Sequence, residues 1–281
     1  MKKINVLSKV LVLVLTVGLL TACGTKAANG NSSEEKLIEI VVGASIEPHA
    51  AILNSDAVKD SLKEQGYSIK VVEYTDYIQP NVATSDGSLD ANFFQHTPYL
   101  EYYNEQYNTT LKAVADIHFE PLGVYPGKTK SFDELGDGAQ IAVPNDATNE
   151  ARALLLLEKA GIITLKKDIG LDATKNDIVE NPKNIVILEV EAAQTAKALQ
   201  DVDLAVINGN YALTEGLSAS KDAILVEELE SEAAKTFPNI IVVNEGKEED
   251  AKTKALIKAI TSEEVKKFIN EKWQGAVIPV F

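Results

Sequence analysis

Residues 92–99 read Asn-Phe-Phe-Gln-His-Thr-Pro-Tyr, a run of aromatic and amide side chains in a sequence only 6% aromatic. Tyr99, Tyr102, Tyr103 and Tyr107 continue it at helical spacing. Such rings can wall a pocket for an apolar or polarizable group, with His96 supplying a polar edge. Thr97-Pro98 has the form of a helix N-cap followed by proline at the first helical position. On that reading His96 sits just outside the helix and Tyr99 in its first turn. Phe94, His96 and Tyr99 are then pocket lining, while Tyr102, Tyr103 and Tyr107 form a wet face of the helix.

Arg152 is the other chemically distinctive residue, the one arginine among 27 basic side chains. A guanidinium is a rigid fork that can grip a carboxylate through two parallel hydrogen bonds, which an ammonium cannot do. It follows the turn Asn145-Asp146-Ala147-Thr148-Asn149 near an expected helix start, where free backbone N–H groups favour an anion. Chance survival of one arginine in a surface ion pair accounts for it equally well in isolation. Together with the aromatic wall, it points to a ligand with one carboxylate and one apolar side chain. On this view Arg152→Lys removes affinity and leaves the empty protein's melting temperature almost unchanged.

Catalytic signatures do not assemble. The sequence has no G-x-S-x-G and no H-E-x-x-H, and Cys23 has no second cysteine to pair with. Gly127-Lys128-Thr129 resembles the end of a phosphate loop, but the glycine required five residues earlier is Leu122. Zinc ligation by His49, His96 and His118 lacks any helix-spaced pair, so no metal is expected. No enzyme activity and no cofactor are inferred.

The elements that must carry these residues alternate in type. Strands are expected at 38–42, 69–73, 90–95, 111–119, 140–143, 184–190, 204–207, 223–227 and 240–243. Helices are expected at 50–65, from about Tyr77 or Pro80, at 97–107, 151–160, 191–199, from about Tyr211, at 248–260 and 262–273. This order is α/β with largely parallel sheets. About 260 residues beyond the leader exceed one ordinary core, so two lobes enclosing a ligand cleft are expected. The crossover falls at 121–127, rich in proline and glycine. Lobe 1 is 37–120 plus 241–281, and lobe 2 is 121–240.

Met1-Lys2-Lys3, an aliphatic run to Leu20 and Leu20-Thr21-Ala22-Cys23 form a secretory leader (1–22) with a lipobox. The apolar run is shorter than the ~20 residues of a membrane span. Cys23 is the acylation site, and 23–36 is a small, polar tether. The chain therefore reads as lipid-anchored on the extracytoplasmic face of a cell membrane. Its lysine and asparagine use suggests a Gram-positive source. The net charge of −15 argues against nucleic acid as a partner.

Pro48-His49-Ala50, the block 90–100 (DANFFQHTPYL), the block 141–158 (IAVPNDATNEARALLLLE), Val179 to Asn184 and Ala205 to Asn208 together resemble the methionine-binding lipoproteins of ABC importers, the NlpA/MetQ family. The resemblance spans essentially the whole mature chain. It implies a two-lobed periplasmic-binding-protein fold that delivers methionine to a membrane permease and its ATPase. Carried over by position, Tyr77, Phe94, His96 and Tyr99 would enclose the thioether. Arg152 would hold the carboxylate, and Asn208 and Asn239 the rest of the head group. Two positions depart from the pattern: Ala51 replaces a frequent acid after Pro-His-Ala, and Ala147 replaces a usual proline. A methionine-containing dipeptide or related amino acid is the alternative cargo. An adhesin lipoprotein without a small ligand is the alternative class.

Overall fold

The computed structural model describes residues 36–228 and 232–281. The leader, Cys23 and all of the tether except Lys36 lie outside them. Among the described residues no helix is long and apolar enough to cross a membrane.

Thirteen strands are described: β1 (Ile38–Ser45), β2 (Tyr67–Tyr74), β3 (Ala91–His96), β4 (Lys112–Phe119), β5 (Gly123–Pro126), β6 (Gln140–Pro144), β7 (Thr164–Leu165), β8 (Ile178–Glu180), β9 (Val186–Val190), β10 (Leu204–Ile207), β11 (Leu225–Val226), β12 (Asn239–Val243) and β13 (Ile278–Pro279). Two larger sheets result, ordered β13-β4-β12-β3-β1-β2 and β11-β5-β10-β6-β9. Each has its own apolar core. Ile40, Phe93, Leu62, Ile241 and Leu256 belong to the first, and Val124, Ile141, Leu154, Leu157 and Val206 to the second.

The sheets are mixed, which corrects the expectation of largely parallel pairing. β1 runs parallel to β2 and β3, yet β12 is antiparallel to both β3 and β4. In the second sheet β10 is parallel to β6 and antiparallel to β5. The cause is the chain path. The chain passes within four residues from β4 of the first sheet straight into β5 of the second, with no intervening helix, so β5 is not part of a strand–helix–strand unit. β12 returns to the first sheet in the same reversed sense. The 121–127 crossover is accordingly shorter than expected, since Gly123–Pro126 is already a strand.

Two boundaries matter for the site. His96, not Thr97, caps the helix Thr97–Tyr107: its Nδ1 accepts the Tyr99 N–H at 3.2 Å. An imidazole nitrogen thus does the work expected of a hydroxyl, and Pro98 falls at the second position. The helix carrying Arg152 spans Ala147–Lys159, four residues earlier than the sequence suggested. Asp146 caps it, accepting from Asn149 N at 3.0 Å, from Asn149 Nδ2 at 2.8 Å and from Thr148 Oγ1 at 3.0 Å. Ala147, standing where the family often has proline, is its first residue, a position that tolerates either.

The expected helix 50–65 is broken at Asn54-Ser55 into Ala51–Leu53 and Asp56–Glu64, with Ser55 capping the second piece. Tyr103 also departs from the wet face proposed for it. It is buried with Leu100, Leu111 and Ile240 and stacks on exposed Tyr107 at 4.5 Å.

Because three hydrogen bonds converge on Asp146, Asp146→Ala should cost about 1–2 kcal/mol, the upper part of the range for a lost cap. Thermal unfolding should show a drop of a few degrees at this chain size. No change would mean that the helix start is held by packing alone.

Candidate functional site

The ends of the central strands of both sheets face one small pocket. Its lining includes Tyr77, Phe94, His96, Tyr99, Arg152, Asn208 and Asn239, together with Gln95, Glu120, Asn149, Gly209 and Asn210. All seven residues named from the sequence are thus brought together. Open α/β sheets place ligands at such strand ends.

One wall is aromatic. Along β3 successive side chains point to opposite faces, so Phe93 enters the main core while Phe94 turns to the pocket cluster. Tyr77 lies 5.7 Å from both Phe94 and Tyr99, centroid to centroid, and 5.0 Å from Tyr211. Tyr99 donates its hydroxyl to the Tyr77 carbonyl at 3.1 Å. Tyr77 donates to Asn210 Oδ1 at 2.6 Å, linking a loop of the first sheet to the helix Gly209–Thr214 that follows β10. His96 remains a neutral ring. Burial, reinforced by the Arg152 charge, lowers its pKa to about 3.

The opposite wall is polar, and its hydrogen bonds fix one another. Asn149 donates through Nδ2 to Asp146, so its Oδ1 faces the pocket. There it accepts from Asn208 Nδ2 at 2.8 Å and lies 3.4 Å from His96 Nε2. Since His96 Nδ1 is already an acceptor, the Nε2 carries the proton. Asn208 thereby commits one of its two amide N–H groups, and its Oδ1 is buried without a partner. A buried, unpaired carbonyl oxygen is costly unless a ligand donor meets it.

Arg152 differs from expectation. Its fork is already filled: Nε donates to Glu227 Oε1 at 2.6 Å, and Nη2 bonds Glu227 Oε2 and the Glu120 carbonyl, the latter at 3.0 Å. Phe237 lies 4.5 Å beneath the guanidinium carbon. These bonds leave Nη1 as the donor atom that none of them uses. Helix numbering explains part of the difference, because Arg152 sits in the second turn and cannot share the free N–H groups of the helix start.

Glu120, Asn149 and Glu227 were not singled out from the sequence. Asn149 stood within the quoted turn block, and Glu120 ends a His-x-Glu pair at the crossover, a signal that was available. Glu227, 75 residues from Arg152, had no local signal.

Behind the pocket His49, His118 and Glu120 place ligand-type atoms within 4.8 Å of one another. His96 is not among them. His118 Nε2 lies within hydrogen-bond distance of Glu120 Oε1, at 2.7 Å, and His49 Nε2 is bonded to Asn239 Oδ1 at 2.9 Å. The Nδ1 atoms of both rings lack the outer acceptor that orients a metal-bound histidine. The geometry fits a hydrogen-bonded cluster better than a metal centre. Burial drives His49 down to about 4 and His118 to about 3, and raises Glu120 to about 7.

Two α/β sheets with a pocket at their strand ends define a periplasmic-binding-protein-like architecture. The comparisons agree. A lipoprotein from Ruminococcus gnavus of known crystal structure is 53% identical, covers 86% of this chain and 99% of its own, and superposes with a TM-score of 0.84. The methionine-binding lipoprotein MetQ of Bacillus subtilis is 42% identical over 273 residues, 95% of this chain and 96% of its own. A nutrient binding protein from Burkholderia cenocepacia, solved bound to methionine, is 41% identical with a TM-score of 0.81, covering 86% of this chain and all of that one. Residues 40–281 match the NlpA lipoprotein family, and the chain belongs to it. It is therefore a solute-binding lipoprotein of the ABC-transport type, anchored at the extracytoplasmic membrane face, and not an enzyme.

The Arg152–Glu227 pair changes one expectation. Both side chains are almost fully buried, and removing one partner of such a pair costs on the order of 3–5 kcal/mol. Arg152→Lys keeps the charge but loses the fork, so the empty protein should melt several degrees lower as well as bind less. Unchanged melting would mean that Glu227 finds another donor.

Proposed function

We propose that this protein captures methionine at the pocket and delivers it to an ABC permease and its ATPase. The observation that carries this reading is the pairing of an aromatic wall with a polar wall that has unfilled positions. Tyr77, Phe94, His96 and Tyr99 enclose the thioether, whose sulfur gains ~0.3–1.5 kcal/mol from an aromatic contact. That is modest, so most affinity comes from burial and from the head group. The carboxylate meets Arg152 end-on through Nη1, with Glu227 retaining the rest of the fork. Asn208 Oδ1 accepts from the ammonium, and Asn239 completes the head-group contacts. The names of the relatives, one called methionine-binding and one solved with methionine, support the same cargo.

Lobe 1 (37–120 plus 241–281) and lobe 2 (121–240) are the units that close on the ligand. The ligand stabilises the closed form by bonding both. Cys23, acylated after removal of 1–22, keeps the domain beside its permease. A Gram-positive membrane fits the lysine-rich, arginine-poor composition.

Calorimetry on the full lipoprotein in detergent should give a saturable heat with L-methionine. At a hundredfold excess over Kd, ligand should add about 2.7 kcal/mol of stability, seen as a clear rise in melting temperature. No heat at high micromolar L-methionine overturns the proposal. Stronger binding of glycyl-methionine would reassign the cargo to the dipeptide.

A further inference from the structure

The pocket described above has cationic and amide groups for a carboxylate, but an amino acid also brings an ammonium. Glu120 is the carboxylate that lines the pocket. It follows β4, on the link into β5, and is 5% exposed. We propose that Glu120 receives the ligand's α-ammonium, and that because this buried carboxyl faces the neutral rings of His49 and His118, ligand capture makes it release a proton. This inference rests on the amino-acid reading of the site and adds a recognition residue and a pH dependence to it.

Geometry is the first support. Glu120 Oε1 is 2.7 Å from His118 Nε2 and 3.5 Å from His49 Nε2. A carboxylate offers about four acceptor positions, and these contacts, with the Asn210 backbone N–H, leave capacity for a ligand donor. Gly209 presses from the other lobe. A Cβ there would sit 2.7 Å from Glu120 Cβ and Oε2, so glycine lets the helix Gly209–Thr214 close over the carboxylate. Asn208, next in sequence, contributes its unpartnered Oδ1. Two acceptors from two lobes thus flank the pocket, an arrangement suited to an ammonium with three donors.

Charge is the second support. The groups around Glu120 are His118 on its own strand, His49 and Glu47 on the segment after β1, Arg152 on the helix Ala147–Lys159 and Glu227 bound to Arg152. Tyr77 and Tyr125 also face it and stay protonated, their hydroxyls pushed upward by burial. His49 and His118, held low by burial, are neutral near pH 7, so Glu120 lacks a full counter-charge on the side facing them. Burial raises its carboxyl to about 7, against the pull of the Arg152 charge. An arriving ammonium supplies the missing charge and favours the carboxylate. The sign follows. The empty site holds a proton below about pH 7, the filled site does not, and affinity falls as pH drops through that value. His96, near 3, contributes nothing in this window.

His118 acts as a positioning residue: its Nε2–H donates to Glu120 and lowers the cost of the charged form. His118→Phe keeps a ring of similar size and removes the donor, so the midpoint of the pH profile should move upward while binding at pH 9 persists. A purely structural role would weaken binding equally at every pH.

The test is calorimetry of the full lipoprotein with L-methionine from pH 5 to 9, in buffers of different ionisation enthalpy. The expected result is constant affinity above about pH 8 and a loss approaching tenfold per pH unit below about 7. Buffer-dependent heats at pH 6 should correspond to release of nearly one proton. Glu120→Gln should bind weakly with a flat profile and no proton release, and N-acetyl-L-methionine should compete poorly with L-methionine. Clear L-methionine binding with pH-independent affinity and no proton exchange overturns this inference and leaves the proposed function standing. Equal affinity for the N-acetyl compound does the same. No heat with L-methionine at any pH removes both.

Discussion

A guanidinium cannot be buried between two lobes without partners, and the arrangement around Arg152 is the constraint on which the site depends. Taking such a charge out of water costs several kcal/mol, offset only by close, geometrically good bonds. Glu227 and the Glu120 carbonyl supply them. The consequence is positional. Glu227 lies just beyond β11, and Glu120 follows β4, so one side chain pins the start of the crossover and the far edge of the second sheet to the helix Ala147–Lys159. Glu227 Oε2 also accepts the Leu122 N–H at 2.8 Å, fixing the crossover backbone itself. Arg152 is thus a fastener of the crossover as well as a lining residue of the pocket.

Once that pair is set, the remaining polar groups at the junction have little freedom. Asp146 orients Asn149, Asn149 orients Asn208, and the line of donors ends with one oxygen unpaired. On the other lobe His49 spends its Nε2 on Asn239 and His118 spends its own on Glu120. The network resembles a sentence with words missing at its centre. A protein interior does not leave a buried acceptor unpaired without cost, and the head group proposed above would supply its donor. On that proposal, recognition is the completion of a network that the fold leaves unfinished.

Much of this was legible in sequence because aromatic and proline signals are local. The block 92–99 predicted a strand entering a helix, and Phe94, His96 and Tyr99 converge as expected. β12 was readable from its unbroken apolar run, as a strand covered on both faces must be. What local signals could not carry was pairing across distance. Glu227 meets Arg152 over 75 residues, and nothing near position 227 marks it. Strand direction was missed for a similar reason: alternation of strand and helix suggests parallel sheets, but β5 and β12 are bridging segments whose sense depends on where the chain crosses. The capping error at Thr97 has a smaller cause. Propensity favours threonine, yet the histidine one residue earlier already reached the Tyr99 N–H.

The same division gives the pocket two unlike halves, an aromatic one and a polar one, supplied by different sheets. The aromatic rings come mainly from the first sheet and its following helix, a surface packed by its own contacts. Arg152, Asn149 and Asn208 come from the second sheet and its helices. Either half is an incomplete site. In the proposed capture, closure joins the two halves and excludes water, which strengthens every polar bond inside, and parting the lobes removes one half of the contacts.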